Sequence, residues 1–186
     1  MKISKLQLVN QLMKSIAIIA FFSIAILLFS SCSGDDSNAT PTPLPGTTSK
    51  APDFSLTSLD NKTVNLSDSK NKVVVIFFFG NECPSCKAAA PRVSSVLDVP
   101  YANRADYQIL GLDQWDGNAA KVQSFKTITS VAFPLLLNAS SVAANYKTTY
   151  DRLVVIDKSG NIAFSGTQGA AADIDAVKVK VDALLK

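Results

Sequence analysis

Histidine is absent from this 186-residue chain, glutamate and tryptophan occur once each, at Glu82 and Trp115, and cysteine is confined to Cys32, Cys83 and Cys86. Without histidine there is no Ser-His-Asp triad and no Cys-His nucleophile pair. A closed structural zinc site takes four Cys or His ligands, so a metal clip here would have to borrow carboxylates or a second chain. A field of one sign is missing too. Setting aside Lys2, Lys5 and Lys14 at the start leaves 15 basic residues against 15 acidic ones, although the whole chain is formally +3. That balance offers nothing to draw in nucleic acid. Nor is there an apolar run of the ~20 residues that a membrane span needs. The remaining composition, 47% hydrophobic and 18% charged, is ordinary for one domain with a real core.

Part of that apolar content belongs to the N-terminus. Lys2, Lys5 and Lys14 precede a 14-residue apolar stretch, Ile16 to Phe29, broken only by Ser23, so residues 1–31 read as a targeting segment. The stretch runs into Phe29-Ser30-Ser31-Cys32, which resembles the lipobox of bacterial lipoproteins, with Phe29 where leucine is usual. That resemblance implies cleavage before Cys32 and a lipid on it. A plain secretory signal or an uncleaved anchor are the alternatives, and all three put the domain outside the cytoplasm. Low net charge fits a lipid hold on the membrane rather than a polybasic one. Residues 33–49, SGDDSNATPTPLPGTTS, carry Leu44 as their only large apolar side chain. Such a segment buries too little to offset its ordering entropy, so 32–49 reads as a tether and 50–186 as the folded domain.

From Ala51 the pattern becomes structural. Phe54 to Thr57 and Thr63 to Leu66 alternate around Asp60-Asn61, predicting a β-hairpin. The apolar run ending at Phe79, VVVIFFF, is that of a strand buried on both faces. A helix is expected from about Pro84 to Leu97, a strand over Tyr107–Leu112, and a helix from Gly117 to about Ile128 with Ala120, Phe125 and Ile128 available for one face. A short strand at Phe133–Leu137, a short helix at Ser140–Tyr146 and a strand at Leu153–Ile156 follow. Lys158-Ser-Gly-Asn161 then turns into Ile162–Ser165. A C-terminal helix, about Ala172–Leu185, places Ile174, Val177, Val181 and Leu184 on one stripe, although its VKVKV also suits a strand. Strands alternating with helices predict an α/β domain: a central mixed sheet with helices on both faces and an N-terminal hairpin.

Cys83-Pro84-Ser85-Cys86 lies between a buried strand and a helix, the setting of a thioredoxin-like redox pair. At a helix N-cap, Cys83 would meet unpaired N–H groups and the positive dipole end, which stabilise a thiolate. Pro84 suits the first helical position, where a missing N–H costs nothing. Cys86, one turn on, is close enough to attack a mixed disulfide through its own sulfur. Pro91 is expected to kink the helix. Open α/β sheets place their sites at such a strand end.

The stretch FFFGNECPSCKAAAP, residues 77 to 91, resembles the thioredoxin superfamily. Ala51-Pro-Asp-Phe54, Leu110-Gly-Leu-Asp113, Phe133-Pro-Leu-Leu-Leu137 and Val155-Ile-Asp-Lys-Ser-Gly-Asn-Ile162 extend the likeness to the extracytoplasmic TlpA/ResA-like and AhpC/TSA-redoxin branch. The resemblance implies a thioredoxin-like fold and thiol-disulfide exchange with protein or small-molecule thiols and disulfides, without a cofactor or metal. Cys83 would be the nucleophile and Cys86 the resolving thiol. In an oxidising compartment a reductant of this kind needs a membrane electron donor.

Three departures stand out. Glu82 replaces the tryptophan most relatives carry before the first cysteine; a carboxylate there raises the Cys83 pKa if it lies close, and Lys87 could offset it. Phe77 replaces a buried acid or amide. Asp151 falls where relatives place a cis-proline facing the dithiol, so Asp151 and Arg152 are candidates to line the site instead. Three functions compete: an oxidoreductase, a peroxidase with Arg152 as its arginine but Gly80 where a hydroxyl is usual, and a non-enzymatic lipoprotein whose disulfide is a staple. Trp115 reads as packing or a groove wall, Tyr146 and Tyr150 as site borders or sheet-edge caps, and Asp113 as a strand-end turn residue.

Overall fold

The computed structural model describes residues 49–186; the targeting segment and all but the last residue of the tether, Cys32 included, lie outside the described residues. Among the described residues no helix is long and apolar enough to cross a membrane. The alternating N-terminal pair forms as expected: β1 (Ser55–Thr57) and β2 (Thr63–Asn65) are antiparallel, with Leu56 opposite Val64. Asn61 makes the turn with φ 55°, a left-handed conformation that asparagine tolerates. This hairpin is a separate two-stranded sheet, tied to the main one where Leu59 N donates to Leu135 O.

The run Val73–Phe79 is β3, buried along its whole length, and lies at the centre of a five-stranded sheet ordered β5-β4-β3-β6-β7. β4 (Tyr107–Asp113) is parallel to β3, with Phe79 opposite Asp113, and β6 (Arg152–Ile156) is antiparallel, with Phe78 opposite Arg152. β5 (Leu135–Leu136) and β7 (Ile162–Ser165) are the edges. A strand turns successive side chains to opposite faces, so one continuous apolar run serves two cores. Val73, Val75, Phe77 and Phe79 face one, and Val74, Ile76 and Phe78 the other.

The first core is roofed by α1 (Pro84–Val93), α2 (Ala119–Thr129) and α4 (Ala170–Leu184); the second by the hairpin and the short α3 (Ser140–Asn145). Phe77, Phe78 and Phe79 are all fully covered; each such ring stabilises the fold by about 1.5–3 kcal/mol. VKVKV is helical, and Ile174, Val177 and Val181 point into the first core while Leu184 packs against it.

Two helix expectations need correction. α1 stays α-helical only to Val93 and widens into a π turn over Ser94–Asp98. Pro91 has no N–H to offer the preceding turn, and Ser94 N is shared between Ala90 O and Pro91 O, so the α-helical ladder is already irregular where the π turn begins. In α2 the buried stripe is Val122, Phe125 and Thr129, whereas Ile128 is 61% exposed and Ala120 is exposed. The helix starts two residues later than the sequence suggested, and the i, i+3, i+7 face that includes Phe125 passes through Thr129.

Candidate active site

Cys83 is the N-cap residue of α1 and Pro84 its first helical residue. The two cysteines are joined as a disulfide, with Cα atoms 5.3 Å apart. Cys83 Sγ takes the place of a capping oxygen: Cys86 N donates to it at 3.1 Å, and Ser85 Oγ lies 3.2 Å away. The backbone closes round the same point, with Cys83 N donating to Gly80 O and Lys87 N to Cys83 O, each at 3.0 Å. Cys83 is 1% and Cys86 0% exposed, so the oxidised pair is covered, while Pro84 and Ser85 are exposed beside it. An N-cap is where helix N–H groups and the macrodipole favour negative charge.

Glu82 is exposed, and its carboxylate meets Lys121 Nζ of α2 at 3.3 Å. Its neighbouring cation is thus supplied from 39 positions along the chain, in addition to Lys87 in the first turn of α1. A pocket of about 300 Å³ lies here, lined by Asn81, Glu82, Lys87, Asn118, Ala120, Lys121 and Ser124.

One residue central to this region was read from the sequence only as a strand end. Asp113 closes β4 with no exposed surface. Its Oδ1 accepts from Asn81 N (3.1 Å), Asn81 Nδ2 (3.1 Å) and Trp115 N (3.4 Å), and its Oδ2 from Asn81 Nδ2 (3.0 Å) and Gly117 N (2.7 Å). A buried carboxylate is tolerable when its lone pairs are filled in this way. Here it fastens the loop leading to Cys83 onto the loop leaving β4. The parallel pairing of Phe79 with Asp113 makes that contact, and only a correct strand pairing would have predicted it.

Trp115 is 41% exposed and lies flat against Gly80, where a Cβ would come within 2.5 Å of the indole. Its ring meets Tyr150 edge-on at 5.0 Å, so Trp115 and Tyr150, itself 39% exposed, bridge the strand end above Gly80. A hydroxyl-bearing residue cannot occupy position 80 without moving the indole. Tyr146, by contrast, is buried against Phe78 and donates to Pro52 O at 2.8 Å.

Asp151 and Arg152 are at the same end of the sheet. Asp151 has φ 56° and its carboxylate is engaged at the start of α4, where Ala170 N donates to both Asp151 O (3.0 Å) and Oδ1 (3.2 Å). Arg152 Nη1 donates to Asp151 O at 2.8 Å. Among the described residues there is no cis peptide bond and no group of three or more potential metal ligands.

A family model described as AhpC/TSA family matches residues 47–165. The thioredoxin-like protein YneN of Bacillus subtilis is 26% identical over 114 residues, 61% of this chain and 66% of that one. The thiol-disulfide oxidoreductase ResA of Bacillus cereus is 26% identical over 115 residues, 61% of this chain and 65% of that one. The match therefore spans just under two thirds of these curated relatives. Among solved structures, a Bacteroides thetaiotaomicron protein whose name proposes a protein disulfide isomerase superposes with a TM-score of 0.68 at 27% identity, covering 74% of this chain and 88% of the other. A secreted Mycobacterium tuberculosis disulfide oxidoreductase gives 0.58 at 25%, covering 70% and 96%. The thioredoxin-like fold is common to these structures and to the present one.

Proposed function

Because the chain belongs to the AhpC/TSA family, we propose that it is a thiol-disulfide oxidoreductase of the bacterial cell envelope. It is held outside the cytoplasm by a lipid on Cys32, at the periplasmic or outer-membrane face, and exchanges electrons through Cys83 and Cys86. The observation that carries this reading is Cys83 Sγ at the α1 N-cap, bonded to Cys86 and taking the Cys86 N–H. The same geometry that accepts an N–H onto sulfur stabilises a thiolate once the disulfide opens.

In the reducing direction the Cys83 thiolate attacks one sulfur of a partner disulfide, forming a mixed disulfide and releasing the partner's other sulfur as a thiolate. Cys86, deprotonated, then attacks Cys83 Sγ, releasing the second partner thiolate and restoring the Cys83–Cys86 bond. Two electrons pass to the partner. They are returned by a reduced thiol donor at the membrane. Run backwards, the same steps oxidise a partner dithiol. Both cysteines are covered in the disulfide form, so a thiolate reaches Cys83 Sγ only as the exposed Pro84-Ser85 segment beside it gives way.

The names of ResA and of the secreted mycobacterial oxidoreductase support this reading over a peroxidase, as does the indole pressed on Gly80. Dithiothreitol-dependent insulin reduction is the direct test. Cys83→Ser abolishes it, and Cys86→Ser accumulates a mixed disulfide on Cys83; rates equal to wild type in both variants overturn the proposal. Hydrogen peroxide consumption by the reduced protein no faster than by free cysteine excludes the peroxidase.

A further inference from the structure

The pocket beside the dithiol loop is not used by the exchange chemistry described above. Its wall comes from three elements. Asn81 and Glu82 immediately precede Cys83, Lys87 belongs to the first turn of α1, and Asn118, Ala120, Lys121 and Ser124 form the start of α2. Consecutive Cα atoms are about 3.8 Å apart, so this wall begins within one or two residues of the nucleophilic sulfur's backbone.

The charge of the pocket is biased. Lys87 and Lys121 contribute two ammonium groups against the single Glu82 carboxylate. The N-termini of α1, capped by Cys83, and α2, capped by Asn118, add partial positive charge. Asn118 Oδ1 already holds Lys121 N at 3.0 Å, fixing the start of α2. Asn81 is only 3% exposed, and its amide is bound through Nδ2 to Asp113, so one wall of the pocket is a buried, fixed amide. The Glu82–Lys121 pair, 3.3 Å long with both side chains at least half exposed, is weak enough for another carboxylate to displace.

We infer that this pocket is a subsite for a carboxylate carried by the disulfide or thiol partner, and that it makes the protein select anionic partners over cationic ones. The inference rests on the oxidoreductase reading. Lys121 exchanges its Glu82 partner for the incoming carboxylate, Lys87 supplies the second charge, and the partner sulfur is thereby held near Cys83. Because the cations are surface groups, the preference weakens as salt screens them.

The test mixes pre-reduced protein with excess glutathione disulfide (anionic), bis(2-hydroxyethyl) disulfide (neutral) or cystamine (cationic), and follows single-turnover oxidation of Cys83 and Cys86. Each turnover oxidises one protein dithiol and reduces one disulfide to two thiols. The expected order is anionic, then neutral, then cationic, spanning about tenfold at low salt, and the anionic-to-neutral ratio falls about two- to fivefold in each of Lys87→Gln and Lys121→Gln. Glu82→Gln raises that ratio. Equal rates for the three disulfides, or a ratio unmoved by either lysine change, overturns the subsite while leaving the oxidoreductase intact. Failure to oxidise with the neutral disulfide overturns the oxidoreductase itself, and the subsite with it. S-methylglutathione, which cannot exchange, gives a readout free of turnover. Added to the oxidised protein, it shifts the backbone amides of Asn81 and of Asn118 through Lys121, and no shift at either place counts against the site.

Discussion

Asp113 and Glu82 both sit at the dithiol loop, and their surroundings give them opposite parts. Asp113 is enclosed and filled by N–H donors from both loops. Asp113→Ala leaves the Asn81 amide and the Gly117 N–H without their acceptor, a cost of about 2–4 kcal/mol, read as a lower denaturation midpoint in urea; a loss below about 1 kcal/mol would mean that water replaces the carboxylate. Glu82 is exposed and balanced by Lys121. Glu82→Gln therefore lowers the Cys83 pKa of the reduced protein, and Lys121→Gln raises it. Thiolate absorbance measures both titrations, and a titration unchanged by Glu82→Gln shows the carboxylate out of reach of the sulfur. Glu82, Cys83, Pro84 and Cys86 were legible because each acts within a few positions of the others. Asp113 and Lys121 were not, since their partners lie 32 and 39 residues away.

At the scale of elements, strand identity was easy to read and helix phase was not. VVVIFFF and, after Arg152, LVVI have no polar position to spare for solvent, so their placement as β3 and β6 in the buried centre follows from composition. α2 carries apolar residues on more than one face, and which of them is buried depends on a start set by Asn118. The join of β6 to α4 was also beyond the sequence. Asp151, expected where relatives carry a proline, adopts a positive φ, and its carboxylate receives the first free N–H of α4. Asp151→Pro is consequently not a neutral change. Proline is confined to φ near −65° and cannot make that side-chain bond, so the change destabilises the domain by about 3 kcal/mol or more, measurable as a fall in Tm. A Tm within a degree or two of wild type would mean that the loop re-forms around proline without cost.

At the scale of the whole molecule, the carboxylate and phenols whose ionisation the fold shifts strongly among the described residues lie away from the dithiol. Asp106, just before β4, is held well below the usual carboxylate range by Arg104 and then Lys158; its small stabilisation is present above about pH 4 and is lost as pH falls. Tyr107 and Tyr146 are pushed upward, chiefly by burial, and then by Tyr101 and Asp98 for Tyr107 and by Asp53 for Tyr146. The fold thus favours their neutral phenols. That contribution is complete below about pH 10, the ordinary tyrosine value, and is lost as pH climbs beyond it. Unfolding free energy should fall steeply above pH 10, and Tyr107→Phe with Tyr146→Phe should flatten that limb while lowering the plateau. An unchanged slope would assign alkaline unfolding to other groups. The chain enters the domain beside the Gly160 turn, where Ala51 N donates to Gly160 O and Ile162 N to Ser49 O. Since β6 runs antiparallel to β3 and ends opposite Val74, that entry is at the far pole from Cys83, separated by the length of β3, roughly 23 Å. Whatever grips the N-terminal end and whatever docks at the dithiol thus use opposite ends of the domain. Coupled to a sensor chip through residues before Ser49, the protein would present its disulfide to the flowing solution.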